Sequence, residues 1–189
     1  MRAPTVNHPD RETLEAGLDE IRRSPATTGV VRLIVRRPAI DAREVLAQGE
    51  LDAVEGLVGD TWRTRGSSRT PDGSAHPDMQ LNLMNARVVQ LVARHPDRWP
   101  LAGDQLFVDL DLSVGNLPAG TRLALGSAVI EITSQPHTGC GKFARRFGLD
   151  ALQFVNSPLG RDLRLRGACA RVLRAGSVRV GDPILKLPA

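Results

Sequence analysis

Thr121-Arg122-Leu123-Ala124-Leu125-Gly126-Ser127-Ala128-Val129-Ile130-Glu131-Ile132-Thr133 reads as two strands joined by a two-residue turn. Thr121–Leu125 and Ala128–Thr133 form the arms of this hairpin, and Gly126-Ser127 suits the tight connection. Upstream, Leu106-Phe107-Val108-Asp109-Leu110-Asp111-Leu112 alternates, so Leu106, Val108, Leu110 and Leu112 are expected to face one core. Downstream, strands are expected at 163–166, 168–174, 178–180 and 184–187, with turns at Ala175-Gly176 and Gly181-Asp182. Arg87–Ala93 reads as a further Val/Leu strand. Short strands at close spacing with Gly-bearing turns predict a barrel. The fold class is therefore mainly β (α+β), a β-barrel with short peripheral helices.

Helical signals are fewer. Residues 10–23 carry Asp10 as a cap and Leu14, Leu18 and Ile21 on one face. Gly29–Arg37 is a Val/Ile strand stopped by Pro38. Asp41–Val58 is expected to hold one or two short helices, burying Val45, Leu46, Leu51, Val54 and Leu57. Residues 59–77 read as loop. These elements suggest a 1–75 extension packed on a 76–189 barrel core, together one structural unit. Lys142–Phe147 is the one helix expected in the second half, followed by a linker at 156–160.

That helix follows the one stretch that points to chemistry, Pro136-His137-Thr138-Gly139-Cys140-Gly141-Lys142-Phe143-Ala144-Arg145-Arg146-Phe147-Gly148. A thiol works as nucleophile or metal ligand only as thiolate, and nearby cations favour that form. Glycines on both sides leave Cys140 open. Lys142, Arg145 and Arg146 cluster opposite the Phe143/Phe147 face with no acid before Asp150. Like charges at this spacing, near a helix N-terminus, add nothing to the helix. An anionic ligand would account for them, and so would a solvated basic face.

Cys169 lacks such neighbours and reads as core. His137 and Cys140 could open a zinc site only with isolated His76, His95 or Cys169, and no second paired motif exists. A Cys–His hydrolase is the other chemical alternative, without an acyl-transfer signature. A second basic cluster, Arg161, Arg164, Arg166, Arg171 and Arg174, could share one cleft with the first. The outer face of an edge strand would account for these arginines equally simply.

Composition narrows the class. The 189 residues carry a net charge of +4 and 41% hydrophobic residues, enough for one cored domain. Aromatics make up only 3%, which argues against a base-stacking nucleic-acid platform. Two cysteines make no disulfide framework and suggest a reducing compartment. Residues 1–8 show no apolar leader core, and no run approaches a membrane span. A cytoplasmic protein is expected.

Taken in order, Gly103-Asp104-Gln105-Leu106, Asn116–Leu123, Ile130–Phe143, Arg166-Gly167 and Arg171–Asp182 resemble the MOSC domain, named for the C-terminal domain of molybdenum cofactor sulfurases. The resemblance spans about residues 80–187. It implies a β-barrel whose family cysteine falls on Cys140, carrying sulfur as a persulfide or binding molybdenum cofactor (molybdopterin). In amidoxime-reducing relatives that cysteine ligates molybdenum. An enzyme of sulfur transfer, or of molybdenum-dependent reduction of N-hydroxylated compounds, is implied. Cys140 would be the reactive group and molybdenum ligand, with His137, Lys142, Arg145, Arg146 and Arg166 holding the anionic pterin or a small-molecule substrate. The aminotransferase-like domain that uses pyridoxal phosphate in full sulfurases is not read in these residues, so a redox or sulfur-donor protein is an expected partner. A nucleic-acid-binding or non-catalytic interaction barrel is the competing reading.

Overall fold

The computed structural model describes residues 7–188. The reading of a missing leader rests partly on residues 1–6, outside that range. In chain order the strands are β1 (Thr28–Arg36), β2 (Glu44–Leu46), β3 (Gln48–Asp52), β4 (Gly56–Leu57), β5 (Leu81–Asn85), β6 (Leu106–Asp109), β7 (Arg122–Leu125), β8 (Ala128–Ile132), β9 (Ala168–Arg174), β10 (Gly176–Arg179) and β11 (Pro183–Lys186). The helices are α1 (Arg11–Ala16), α2 (Leu18–Arg22), α3 (Trp62–Arg65), α4 (Ala86–Ala93), α5 (Gly141–Phe147), α6 (Leu149–Asn156) and α7 (Pro158–Asp162).

Strands pair in the order β11-β7-β8-β9-β5-β6-β1, and β1 returns to β11. The result is a closed seven-stranded mixed barrel. Closure leaves no open edge along this ring. The β7–β8 hairpin has the register Leu125↔Ala128, as its turn residues require. Strand β1 meets β11 through Thr28–Val30, β6 through Val30–Ile34 and β2 through Ile34–Arg36. A bulge between Val31 and Leu33 accompanies this change of partners. The segment 1–75, read as an extension, thus supplies one stave of the barrel itself.

Alternation sorts the core into two layers. Leu106 and Val108 of β6 join Leu83, Leu123, Ile130 and Ile184 inside the barrel. Phe107 and Met84 point the other way, into a layer with Val88, Val89, Phe143, Phe147 and Val155 from the helices. Strand β5 is buried at every position because both its faces are covered.

Three expectations are corrected. Residues 86–93 are the helix α4, not a strand. Strands β5 and β6 run parallel, and a parallel pair needs a crossover, which α4 provides. Asn85 starts it by accepting from the N–H of Arg87 at 2.8 Å, and Val88, Val89, Val92 and Ala93 form its buried stripe. Residues 41–58 form short strands rather than helices. There Leu51 pairs across from Leu57 on β4, while Val45 and Val54 are exposed. Residues 163–166 are a turn after α7, with Arg164 at φ 46°, and α5 is joined by α6 and α7 in this half.

Asn85 also donates from Nδ2 to Ser24 Oγ and to the Leu110 carbonyl, both at 2.8 Å. Asn85→Ala removes the cap and leaves buried acceptors unmet. Denaturant unfolding is expected to show a loss of about 2–4 kcal/mol; a change under about 0.5 kcal/mol would contradict this role.

Candidate functional site

Cys140 sits at the N-terminus of α5 in extended conformation, φ −127° and ψ 178°. The chain reaches it from β8 along residues 133–139. Asn156, at the end of α6, holds that approach with both ends of its amide. Its Oδ1 accepts from the Gly139 N–H at 2.9 Å, and its Nδ2 donates to the Gly139 carbonyl at 3.1 Å. A Cβ at Gly139 would lie 2.7 Å from Leu152 Cδ1 and 3.1 Å from Val155 Cγ2, so the loop presses closely onto α6 at this glycine. Phe143 and Phe147, ring centroids 4.8 Å apart, anchor α5 in the helical layer.

Cys140 is exposed, and a Cβ at Gly141 would meet nothing within 4 Å. Burial alone would push the Cys140 thiol up. The first-turn N–H groups of Lys142 and Phe143 and the charges of Arg166 and Lys142 outweigh it, holding the thiol below its ordinary value. These N–H groups act from nearby; no geometric cap bond is closed to the side chain.

Below the loop lies a buried ionic cluster. Gly103, at φ 88°, ends the 3-10 helix Pro96–Ala102 and turns Asp104 inward, where it is 0% exposed. Arg166 reaches both of its oxygens, at 3.0 and 2.7 Å, and donates also to the Ala102 carbonyl at 3.0 Å. The Arg166 guanidinium carbon lies 5.1 Å from the Phe143 ring centroid, beneath α5. His137 Nε2 is 2.8 Å from Asp104 Oδ1. Gly167, at φ 118°, makes this packing feasible, since a Cβ there would fall 2.1 Å from the Leu83 carbonyl oxygen.

Burial pushes the Asp104 carboxyl up, but Arg166 and His137 more than offset it and the pKa is lowered. Burial, then Arg166, lowers the His137 pKa despite the neighbouring carboxylate. At neutral pH His137 is therefore neutral, and Nε2 carries the hydrogen donated to the ionised Asp104. Cluster charges cancel. A second pair stands alongside. Arg37 donates to both oxygens of Asp60, at 2.8 and 2.7 Å, and to the Gly103 carbonyl at 3.1 Å.

The residues singled out from sequence separate in space. Lys142 and Arg145 are exposed on α5. Arg146 instead donates to the Leu101 carbonyl at 2.8 Å and pairs with Asp41 at 3.2 Å. Arg164 and Arg166 do not share a strand face. Arg164 donates inward to the Leu117 carbonyl, and Arg166 is buried on Asp104. Cys169 is buried, and burial pushes its thiol up to about 12. Among the described residues no three His, Cys, Asp or Glu side chains gather as a metal site. Asp104, Asn156 and the Arg37–Asp60 pair carried no assigned role in the sequence reading. The Gly-Asp turn at 103–104 was the only signal for the first of them.

The model of the MOSC domain family matches residues 71–185. Among solved structures, the YuaD protein of Bacillus subtilis is 17% identical, with a TM-score of 0.63 over 83% of this chain and 94% of that one. YiiM of Escherichia coli is 20% identical, with a TM-score of 0.55 over 85% of this chain and 70% of that one. At such identities these likenesses show the fold. No curated protein matches the sequence. The chain belongs to the MOSC domain family, which is linked to molybdenum cofactor binding or sulfur transfer.

The His137–Asp104 contact sets an acid limit. A histidine whose folded pKa is lowered resists protonation that the unfolded chain accepts below the ordinary 6.5. Asp104, also lowered, keeps its contribution above 3.8 and loses it as pH falls through its folded pKa. Unfolding free energy should therefore decline as pH drops below about 6.5, and His137→Gln should flatten that first part of the decline. A wild-type curve level from pH 7 to 5 would refute the assignment.

Proposed function

We propose that this MOSC-domain chain uses Cys140 as its reactive centre, binding molybdenum cofactor through the thiolate or carrying a sulfane sulfur on it. The supporting observation is the site itself: an exposed cysteine at a helix N-terminus, its thiol held below its ordinary pKa, with open space at Gly141 and cations on the adjoining turn. A soft thiolate suits both molybdenum and sulfane sulfur.

The donor set fits a pterin-borne metal. Only one soft ligand stands at the site, and no cluster of three ligating side chains exists among the described residues. A metal that arrives with its own dithiolene sulfurs needs only one more from the protein. Cys140 would supply it, while Lys142 and Arg145, exposed on the same helix, would face the anionic pterin. Arg166 contributes charge from below, its own donors being taken by Asp104 and Ala102. His137 fixes the approach to the loop through Asp104. When bound, the cofactor supplies two-electron redox chemistry of the kind that reduces N-hydroxylated compounds.

Sulfur carriage uses the same atom. The Cys140 thiolate attacks the outer sulfur of a donor protein's persulfide; the donor's S–S bond breaks and its thiolate leaves, with no net oxidation. The lowered pKa keeps the attacking form populated.

Protein isolated anaerobically from its own host should carry molybdenum with pterin, or a one-sulfur mass addition confined to Cys140. Cys140→Ser should lose either one. Absence of both, together with failure of the isolated protein to take up added cofactor, would overturn the proposal.

A further inference from the structure

Where α6 gives way to α7, the helices leave a cavity beside α1, about 620 Å³ in volume. Its origin is local. Ser157 caps α7 by accepting from the Gly160 N–H at 2.9 Å, and its hydroxyl donates to the Phe154 carbonyl at 2.8 Å. Pro158, first in α7, has no N–H with which to continue α6. A Cβ at Gly160 would fall 2.3 Å from the Phe154 carbonyl oxygen, so α7 turns tightly onto the end of α6. The space left between that corner and α1 is the cavity. No residue of the cysteine loop lines it.

The wall is apolar and the charge around it is acidic. Leu18, Phe154, Pro158, Leu159 and Leu165 supply the wall. Phe154 and Leu165 belong to the helical core layer, whereas Leu159 is left 40% exposed. The Ser157 hydroxyl, also on the wall, already bonds in both directions. Three charged residues complete the lining, Arg11, Glu15 and Asp150. Arg11 Nε donates to Glu15 Oε1 at 2.7 Å, so these two neutralise each other. Among the described residues, no cation lies within 4.0 Å of the Asp150 carboxylate. Asp150 stands in the first turn of α6, where the helix dipole tolerates its charge. The cavity thus holds one negative charge in excess, on a chain whose net charge is +4.

We propose that this cavity binds a small lipophilic amine, its aromatic body against Phe154 and Leu159 and its ammonium group on Asp150. The volume falls in the range of about 300–1,000 Å³ usual for small-molecule sites, which are mostly apolar with few polar groups. A ligand polar along its whole length would give up hydrogen bonds to water against such a wall and find few in exchange. An anion would meet the excess carboxylate. A cation at one end of an apolar body satisfies both conditions, and the face of an aromatic ring attracts cations. This inference does not depend on what Cys140 binds. Helix α6 alone joins the two places, since Asn156 at its end holds Gly139.

The test is titration calorimetry of the purified chain with three indoles of similar shape at neutral pH and matched ionic strength: tryptamine, a cation; tryptophol, uncharged; and indole-3-acetate, an anion. One saturable site is expected for tryptamine, with tryptophol weaker by about fivefold or more and indole-3-acetate not bound. Asp150→Asn should weaken tryptamine by about fivefold or more and leave tryptophol within about twofold. Leu159→Gln, at a partly exposed position, should weaken both. Asp97→Asn and Glu55→Gln, which remove exposed acids elsewhere, should change neither. Cys140→Ser should bind tryptamine as wild type does, separating this site from the thiol's chemistry. No saturable binding of tryptamine would overturn the proposal, and so would wild-type affinity in both Asp150→Asn and Leu159→Gln. Equal affinity for tryptamine and tryptophol would refute the role given to Asp150.

Discussion

A carboxylate without solvent contact must be answered inside the protein, and Asp104 imposes that requirement on the site. Its two answers come from far apart in the chain. Arg166 stands just before β9, and His137 stands just before the cysteine loop. Meeting one buried charge therefore sets where the loop leaves β8, where β9 begins and how α5 lies over both. Removing the carboxylate alone would strand a buried guanidinium, a loss of about 3–5 kcal/mol. Neutralised within itself, the cluster provides a rigid base and leaves the exposed charge to α5.

The segment before the family match is tied into the same base. Strand β1 closes the barrel between β6 and β11, and Arg37, just beyond its end, bonds Asp60 and the Gly103 carbonyl next to Asp104. Arg43 and Arg65, which with Lys142 line a cavity beside α5, follow this frame. Barrel closure and the shape of that cavity thus depend on one N-terminal stretch.

Local signals made much of the fold readable. The β7–β8 hairpin and the alternation of β6 are properties of adjacent residues, and both appear as expected. The errors share one cause. Val88 and Val89 favour strand by composition, yet the parallel β5–β6 pair demands a crossover there, and a topological need outweighs propensity. Leu51, Val54 and Leu57 recur every three residues, as along a helix, but Leu51 and Leu57 meet across a β ladder and Val54 is exposed. At the site, the openness of Cys140 was legible from its flanking glycines, and Cys169 was legible as core. Arg166 looked like one cation of a surface stripe because its partner lies 62 positions away. Asn156 was hidden in an apparent linker, since its value lies in a contact with Gly139 that only the packed helices create.

What this arrangement delivers is a cysteine open to solvent, its thiol held below the ordinary pKa, resting on a neutral buried base. Alkylation rate against pH reads that state most directly, because Cys169 is buried and its thiol stands near 12. The rate at Cys140, located by mass spectrometry, should reach its midpoint below the unperturbed cysteine value of 9.0. A midpoint at or above that value would contradict the account.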